Sequence, residues 1–158
     1  MKALELRIPP PLIMVLSGVL AFFLSGHPVS FIYEQINNAN FDNIFWPGLF
    51  ICLGIASMVS GVNEFARHKT TINPLDPSQS SLVVTSGVFR FTRNPMYLGM
   101  LLILLAWADY LDNFMAFGGA LFFILYITRF QVQPEERILL SNFSQEYQNY
   151  LNSVRRWL

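Results

Sequence analysis

Two long uncharged segments set the fold class of this chain. Residues 8–24 and residues 44–62 contain no Asp, Glu, Lys or Arg. A helix needs about 20 mainly apolar residues to cross the hydrocarbon core of a bilayer, which is about 30 Å thick. Charged residues make up 13% of the sequence, whereas soluble domains contain about 25%. The sequence therefore predicts an integral membrane protein with helical spans.

Two shorter apolar segments follow these spans. Residues 95–108 and residues 114–128 are also uncharged, and residues 109–113, with two Asp and one Asn, separate them. Because a short polar connection joins antiparallel helices, we interpret this region as a helical hairpin. The sequence then predicts an all-α integral membrane protein with four transmembrane helices.

The first span has a second interpretation. A basic start and an apolar stretch that is followed by Ser25 and Gly26 are also typical of a cleaved signal peptide, although no A-x-A site follows. The length of the stretch favours a membrane span.

Small residues lie four positions apart in both of the first two spans, as Ser17 and Ala21 and as Ser57 and Gly61. Such pairs either let two helices approach closely or are ordinary spacing in an apolar helix. The first alternative predicts that these two spans pack against each other.

The charged residues favour one orientation in the membrane. All ten Lys and Arg residues precede the first span, lie between the second and third, or follow the fourth. The other side, residues 25–43 and 109–113, carries four acidic residues and no Lys or Arg. Cytoplasmic loops are enriched in Lys and Arg, so both termini are expected in the cytoplasm, and a bacterial inner membrane is the expected location.

Charge and metal-ligand content exclude two classes of partner. Ten basic residues balance ten acidic residues, so no net charge steers the chain toward nucleic acid. Cys52, His27 and His68 are the only cysteine and histidine residues, and they do not form the spacing of a structural zinc site. We expect neither nucleic acid nor a metal ion as a partner.

The polar cytoplasmic sequence is concentrated on both sides of the hairpin, in residues 63–94 and 131–158. Residues 82–85 form a short β-prone run that ends at Ser86 and Gly87, which predicts an extended stretch and a turn. Extended backbone leaves N–H and C=O groups available to a ligand.

The third span begins with a helix-start signal. Asn94 is a good N-cap residue and Pro95 suits the first helical position. The N–H groups of Met96 and Tyr97 then have no intrahelical partner and suit a carboxylate or phosphate. The alternative is that Asn94 only caps the helix and that the two nearby arginines anchor it to lipid headgroups.

A last helix is predicted to restart at Pro134, with Glu135 and Glu136 in its first turn, where the helix dipole favours acids. Its apolar stripe predicts an amphipathic interfacial helix that lies either against protein or on the membrane surface; the stripe comprises Leu139, Phe143, Tyr147, Tyr150 and Val154. Because the hairpin returns to one membrane face, we expect residues 94–97 and Glu135 to be neighbours. A helix N-terminus beside a carboxylate complements a zwitterion, such as the amino-acid end of a cofactor.

Two sequence elements in this order, LVVTSGVFRFTRNPMYLG and PEERILLSNFSQEYQNYLNSVRRWL, resemble the isoprenylcysteine carboxyl methyltransferase family. The resemblance covers about residues 80–158 and is strongest to short prokaryotic members, which are related to phospholipid methyltransferases. It implies an integral membrane enzyme that uses S-adenosylmethionine at the cytoplasmic interface and methylates a lipid-attached or lipophilic acceptor. The span pattern and the resemblance together predict a single membrane domain over residues 1–158, with a two-span hairpin at 1–66 and a cofactor-binding core at 67–158.

The resemblance assigns site residues by position. The cofactor would contact Ser81, Leu82, Val83, Val84, Phe89, Asn94, Pro95, Met96, Tyr97 and Glu135. Arg93 and Arg129 would contact the substrate, and Glu136 is the candidate general base for an amine or thiol acceptor, with Glu135 next; a carboxylate acceptor needs none. Relatives usually have histidine at Asn94, and eukaryotic members have arginine near Gln131. The missing arginine weakens the case for a prenylcysteine carboxylate.

Other functions stay open at this point. Transfer to a phospholipid or another amine is the alternative within the same enzyme class. A membrane reductase that uses a reduced nicotinamide cofactor is a second class, but Arg90 and Arg93 are the only basic residues available for a 2′-phosphate. A non-catalytic membrane subunit is a third class. A transporter is disfavoured because no span carries an ionisable residue near its centre.

Overall fold

A computed structural model describes residues 4–38, 40–68 and 81–158 of the protein. Within these ranges the regular structure is helical and contains no strand, which confirms the all-α prediction. The α-helices are α1 (Pro10–Ser25), α2 (Ser30–Asn37), α3 (Phe41–Arg67), α4 (Pro95–Tyr110), α5 (Phe117–Ile127) and α6 (Gln133–Ser153). Shorter helical segments are the 3₁₀ turns Gly87–Arg90 and Phe114–Ala116 and the π-helical segment Thr128–Val132.

Local sequence signals account for the helix boundaries. Pro10 lies in the first turn of α1, where a missing N–H costs least. The helix ends at Gly26, which adopts the left-handed conformation with φ 70°. Asn40 caps α3, because its side chain accepts a hydrogen bond of 3.0 Å from the backbone N–H of Asn43.

Length and composition identify two helices that can cross a membrane, α3 over Asn43–Arg67 and the helical run Phe114–Ser153, which is kinked at Ser144. The pair α1 and α2, bent by 90°, forms a third span if it is counted as one. Helix α4 is apolar but short, about 24 Å at 1.5 Å per residue. These helices make the protein an integral membrane protein, and the count of four spans stays a prediction.

Helix α4 lies at the centre of the fold. It packs against α3 on one side and against α1 and α5 on the other. The main apolar core lies between α1, α4 and α5, and its fully buried members include Ile13, Leu104 and Phe123. Tyr97, at the start of α4, belongs to the same core, so the polar site described below adjoins the main apolar core.

Small residues make the close helix contacts, but not between the first two spans. A Cβ atom added to Gly61 would lie 3.0 Å from Pro95, and the Ser57 hydroxyl donates to the Pro95 carbonyl at 2.7 Å. Ser17 and Ala21 instead face Gly119 of α5. Of the two alternatives, close approach of the first two spans is therefore wrong, because each pair faces the hairpin α4–α5.

The two ends of the bundle carry different charges. At one end, the backbone N–H of Leu6 donates to the Phe130 carbonyl at 3.0 Å, and Arg137 of α6 pairs with Glu5. At the other end, the α4–α5 turn contacts the end of α1, where the Asn113 side chain donates to the Ser25 carbonyl at 2.9 Å. The basic and acidic segments therefore lie at opposite ends, while their orientation in a membrane stays a prediction.

Two connections differ from the sequence prediction. Residues 25–43 were expected to link two spans, and they contain α2. The helix predicted to restart at Pro134 is instead continuous with α5 through the π-helical segment Thr128–Val132, which lies just before Pro134. Residues 82–85 form neither helix nor strand, and the predicted turn is the 3₁₀ segment Gly87–Arg90.

Candidate functional site

The start of α4 has a different cap from the one expected. Asn94 occupies the N-cap position, but its side chain makes no capping hydrogen bond. Its side-chain amide donates instead to the Arg156 carbonyl at 2.8 Å. The prediction of a side-chain cap is therefore wrong, because the C-terminal segment places a carbonyl oxygen within reach of this buried amide.

The start of α4 and the start of α6 meet at the half-buried carboxylate of Glu135. The Tyr97 hydroxyl donates to Glu135 Oε1 at 2.6 Å, and the Gln131 side-chain amide donates to the same oxygen at 2.7 Å. A buried carboxylate is costly unless it is hydrogen-bonded, and these two neutral donors supply those bonds. The predicted proximity of residues 94–97 to Glu135 is confirmed.

Gln131 belongs to the site. The sequence analysis named it only as a departure from the family pattern. Its side chain is buried, with 2% of the residue exposed. It lies in the π-helical segment Thr128–Val132, and π-helical turns are frequently found at functional sites. The four-residue spacing to Glu135 was the available signal, since residues at i and i+4 are neighbours on a helix.

Glu136 points to a different set of partners from those of Glu135. Its carboxylate pairs with Arg93 at 3.0 Å and with Arg156, whose Nε and Nη2 donate at 3.0 and 2.7 Å. These bonds raise the pKa of the Arg156 guanidinium. Both oxygens of Glu136 accept from arginine, so its carboxylate is held by two guanidinium groups.

The two arginines predicted to contact the substrate lie in separate clusters. Arg93 pairs with Glu136 and also donates to the Leu151 carbonyl at 3.2 Å. Its Nε atom is buried and has no hydrogen-bond partner within the described part of the chain. Arg129 pairs with Glu5 at 2.8 Å, and the hydrogen bond from Arg129 is the largest cause that lowers the pKa of Glu5.

The segment predicted to line the adenosyl moiety packs against α6. Val84 and Phe89 are buried with Tyr147 and Tyr150, and the Tyr150 hydroxyl donates to the Phe89 carbonyl at 2.8 Å. Leu82 and Val83 contact the same cluster, and Ser81 is exposed at its edge. The apolar stripe of α6 therefore lies against protein, which settles the two alternatives left open by the sequence.

The C-terminal residues cover the start of α4. The backbone N–H of Arg93 donates to the Arg155 carbonyl at 3.1 Å, and the Trp157 indole donates to Thr128 Oγ1 at 3.3 Å. Hydrogen bonds thus join the C-terminal residues to the start of α4 and to the start of the π-helical segment.

The charged and polar groups at this site complement the amino-acid end of S-adenosylmethionine. Glu135 offers a half-buried carboxylate for an ammonium group, and the first turn of α4 offers N–H groups without intrahelical acceptors for a carboxylate. The residues that would receive the two charges of a zwitterion lie on two helices that touch through Tyr97.

The fold and the site together define a helical membrane protein whose polar site lies at one end of the bundle. The family model for phospholipid methyltransferases matches residues 43–146, and the chain belongs to this family. The expected resemblance to methyltransferases of the isoprenylcysteine type is confirmed by this match and by the relatives described next.

Two relatives are informative. An uncharacterized protein of Haemophilus influenzae is 52% identical over 63 residues, which are 40% of this chain and all of that protein. A protein-S-isoprenylcysteine O-methyltransferase of Schizosaccharomyces pombe is 28% identical over 108 residues, which are 66% of this chain and 44% of that enzyme. No solved structure matches the chain significantly. These matches point to a membrane methyltransferase of the isoprenylcysteine or phospholipid type.

Proposed function

We propose that this protein transfers a methyl group from S-adenosylmethionine to a lipophilic acceptor at the cytoplasmic face of the membrane. The observation that carries the proposal is the hydrogen bond between Tyr97 and Glu135, which joins the two patches that the sequence assigned to the cofactor. The family match supports the reaction class.

Each end of the cofactor's amino-acid group has an assigned partner in this proposal. Glu135 accepts hydrogen bonds from the ammonium, while Tyr97 and Gln131 hold the carboxylate of Glu135 in place. The N–H groups of Met96 and Tyr97, with Asn94 and Pro95 at the start of the helix, bind the carboxylate. The adenosyl part lies along residues 81–84 and Phe89, whose packing against α6 fixes that segment.

When bound, the cofactor supplies an electrophilic methyl group on a sulfonium. The protein then contributes mainly alignment and exclusion of water. The packed helices around Tyr97 exclude water from one side of the site. The acceptor enters from the bilayer, and the charged cofactor enters from the cytoplasm.

The acceptor class divides into two candidates. An isoprenylcysteine-like carboxylate would need a cation, which Arg93 or Arg129 supplies, and no base. A phospholipid amine would need a group that takes its proton, and Glu135 and Glu136 are the nearest carboxylates. The match to the phospholipid methyltransferase family supports a phospholipid amine as one of the two candidate acceptors.

Calorimetric titration of S-adenosylhomocysteine into the detergent-purified protein tests the proposal. We expect saturable binding that weakens at least about tenfold in Glu135→Gln, because a charged hydrogen bond is lost. Glu34→Gln, an exposed glutamate of α2 at the other end of the bundle, is the matched control and keeps full affinity. Equal affinity of both variants, or saturable binding of NADPH in place of S-adenosylhomocysteine, would reject the proposal.

A further inference from the structure

The segment that precedes α1 docks on the π-helical segment that carries Gln131. The backbone N–H of Leu6 donates to the Phe130 carbonyl at 3.0 Å. In an α-helix this carbonyl would accept from the residue four positions later, but that residue is Pro134, which has no N–H. Leu6 therefore supplies a donor that the helix itself cannot supply at this position.

Glu5 connects the two sides of the same π-helical segment. Its Oε1 accepts from Arg129 at 2.8 Å, and its Oε2 accepts from Arg137. Arg129 lies within Thr128–Val132, whereas Arg137 lies in the first turns of α6. The Glu5 side chain is only 13% exposed. One carboxylate on the segment before α1 thus holds two parts of the helical run that lie on either side of Gln131.

The backbone of Leu6 indicates that these contacts fix the docked segment. Leu6 has φ 56°, in the left-handed region that residues other than glycine rarely adopt. Such a conformation persists where the surrounding structure determines it. Two residues later, Ile8 packs against the main apolar core, so the segment is held at both Leu6 and Ile8.

The docked segment acts on the part of the helix that sets the geometry of Gln131 and Glu135. Both residues lie between Arg129 and Arg137 in the sequence, and the Gln131 amide donates to Glu135 at 2.7 Å. The π-helical hydrogen bonds between them differ in register from those of an α-helix, so the turn they form determines the direction of the Gln131 side chain.

We propose that Glu5 and Leu6 are positioning residues for the cofactor site. They hold the π-helical segment in the conformation in which Gln131 donates to Glu135. The effect on cofactor affinity rests on the proposed function, whereas the effect on Gln131 itself does not. The family match begins at residue 43, so this support comes from outside the matched part of the chain.

Nuclear magnetic resonance of the full-length protein in detergent micelles tests the position of Gln131 directly. The side-chain amides of glutamine are isotope-labelled, and the signal that is absent in Gln131→Leu identifies this residue. We expect Glu5→Ala to shift the Gln131 signal, because the π-helical segment loses the carboxylate that holds it. Glu146→Ala, at an exposed position of α6, is the matched control and leaves the signal in place. An unchanged Gln131 signal in Glu5→Ala would overturn the proposal.

Arg137→Ala gives a second test of the same contact. Its side chain is 55% exposed, so this variant is informative even if Glu5→Ala does not fold. We expect it to shift the Gln131 signal in the same direction as Glu5→Ala does. A Gln131 signal that stays in place in Arg137→Ala would show that the carboxylate does not act across the π-helical segment.

Calorimetric titration of S-adenosylhomocysteine tests the consequence for the cofactor. We expect Glu5→Ala to weaken binding about fivefold and to have no further effect in a Gln131→Leu background, because it acts through Gln131. Equal weakening in both backgrounds would indicate a general loss of structure and overturn the positioning role. Absence of binding by the unmodified protein, together with a shifted Gln131 signal in Glu5→Ala, would reject the proposed function and leave the positioning role supported.

Discussion

The Tyr97 hydroxyl and Glu135 Oε1 lie 2.6 Å apart and connect α4 to α6. Tyr97 is buried and Glu135 is half-buried, and Tyr97→Phe leaves the carboxylate with one donor fewer. We expect the variant to lose about 1–3 kcal/mol of unfolding free energy, which corresponds to a fall in melting temperature of several degrees. Thermal unfolding in detergent measures this loss of stability. Tyr33→Phe, at an exposed position of α2, is the control. Identical melting temperatures of the two variants would show that the Tyr97–Glu135 hydrogen bond does not stabilise the protein.

Gln131 makes the second bond to Glu135, so Gln131→Leu removes a donor without opening a cavity. We expect affinity for S-adenosylhomocysteine to fall about tenfold, because the Glu135 carboxylate loses a group that orients it. Gln145→Leu, on the exposed part of α6, keeps its affinity. Calorimetry on both variants checks this, and an unchanged affinity in Gln131→Leu would show that Gln131 does not position Glu135.

Arg155 and Arg156 are adjacent, yet only Arg156 places its guanidinium on Glu136. Arg156→Ala should lose about 1–3 kcal/mol of unfolding free energy, because Glu136 keeps only one arginine partner. Arg155 contributes its backbone carbonyl and has an exposed side chain, so Arg155→Ala should unfold like the unmodified protein. Chemical unfolding in detergent compares the two, and an equal loss in both would contradict this assignment.

The helices could be predicted from the sequence because their signals are local. Uncharged length, the Asp-Tyr-Leu-Asp-Asn turn and Pro95 depend only on neighbouring residues, and α4 and α5 follow them closely. The proximity of Tyr97 to Glu135 could also be predicted, since a short hairpin returns the chain to the same end.

The contacts that depend on distant segments could not be predicted. The partner of the Asn94 side chain is a carbonyl 62 residues away, and no local pattern specifies it. The π-helical segment that directs Gln131 toward Glu135 has no propensity signal of its own. The small residues of α1 and α3 show which faces can approach a neighbour, but not that the neighbour is the α4–α5 hairpin.

Glu5 predicts a pH dependence of stability. Hydrogen bonding from Arg129, followed by the charges of Arg137 and Arg129, lowers the pKa of its carboxyl in the folded protein. A lowered pKa means that the stabilisation is fully present above the unfolded pKa, about 4.3 for glutamate, and is lost as the pH falls through the folded value. The melting temperature of Glu5→Gln should therefore lie below that of the unmodified protein at pH 7 and approach it below pH 4. A constant difference across this range would show that the ion pairs do not contribute.

Gly87 and Gly26 allow two sources of strain to be separated. Both residues have positive φ, 56° and 70°, which disfavours any side chain. An added Cβ at Gly26 meets nothing within 4 Å, whereas at Gly87 it would lie 2.6 Å from the Glu64 carboxyl carbon. Gly26→Ala should therefore cost about 1 kcal/mol from backbone conformation alone. Gly87→Ala should cost more, because the Glu64 carboxylate or the turn must also move.

Gly48→Ala, in an open position within α3, should be neutral or slightly stabilising, because alanine favours a helix. Melting temperatures of the three variants in one detergent test this order, and equal costs at Gly26 and Gly87 would show that the turn does not press against Glu64.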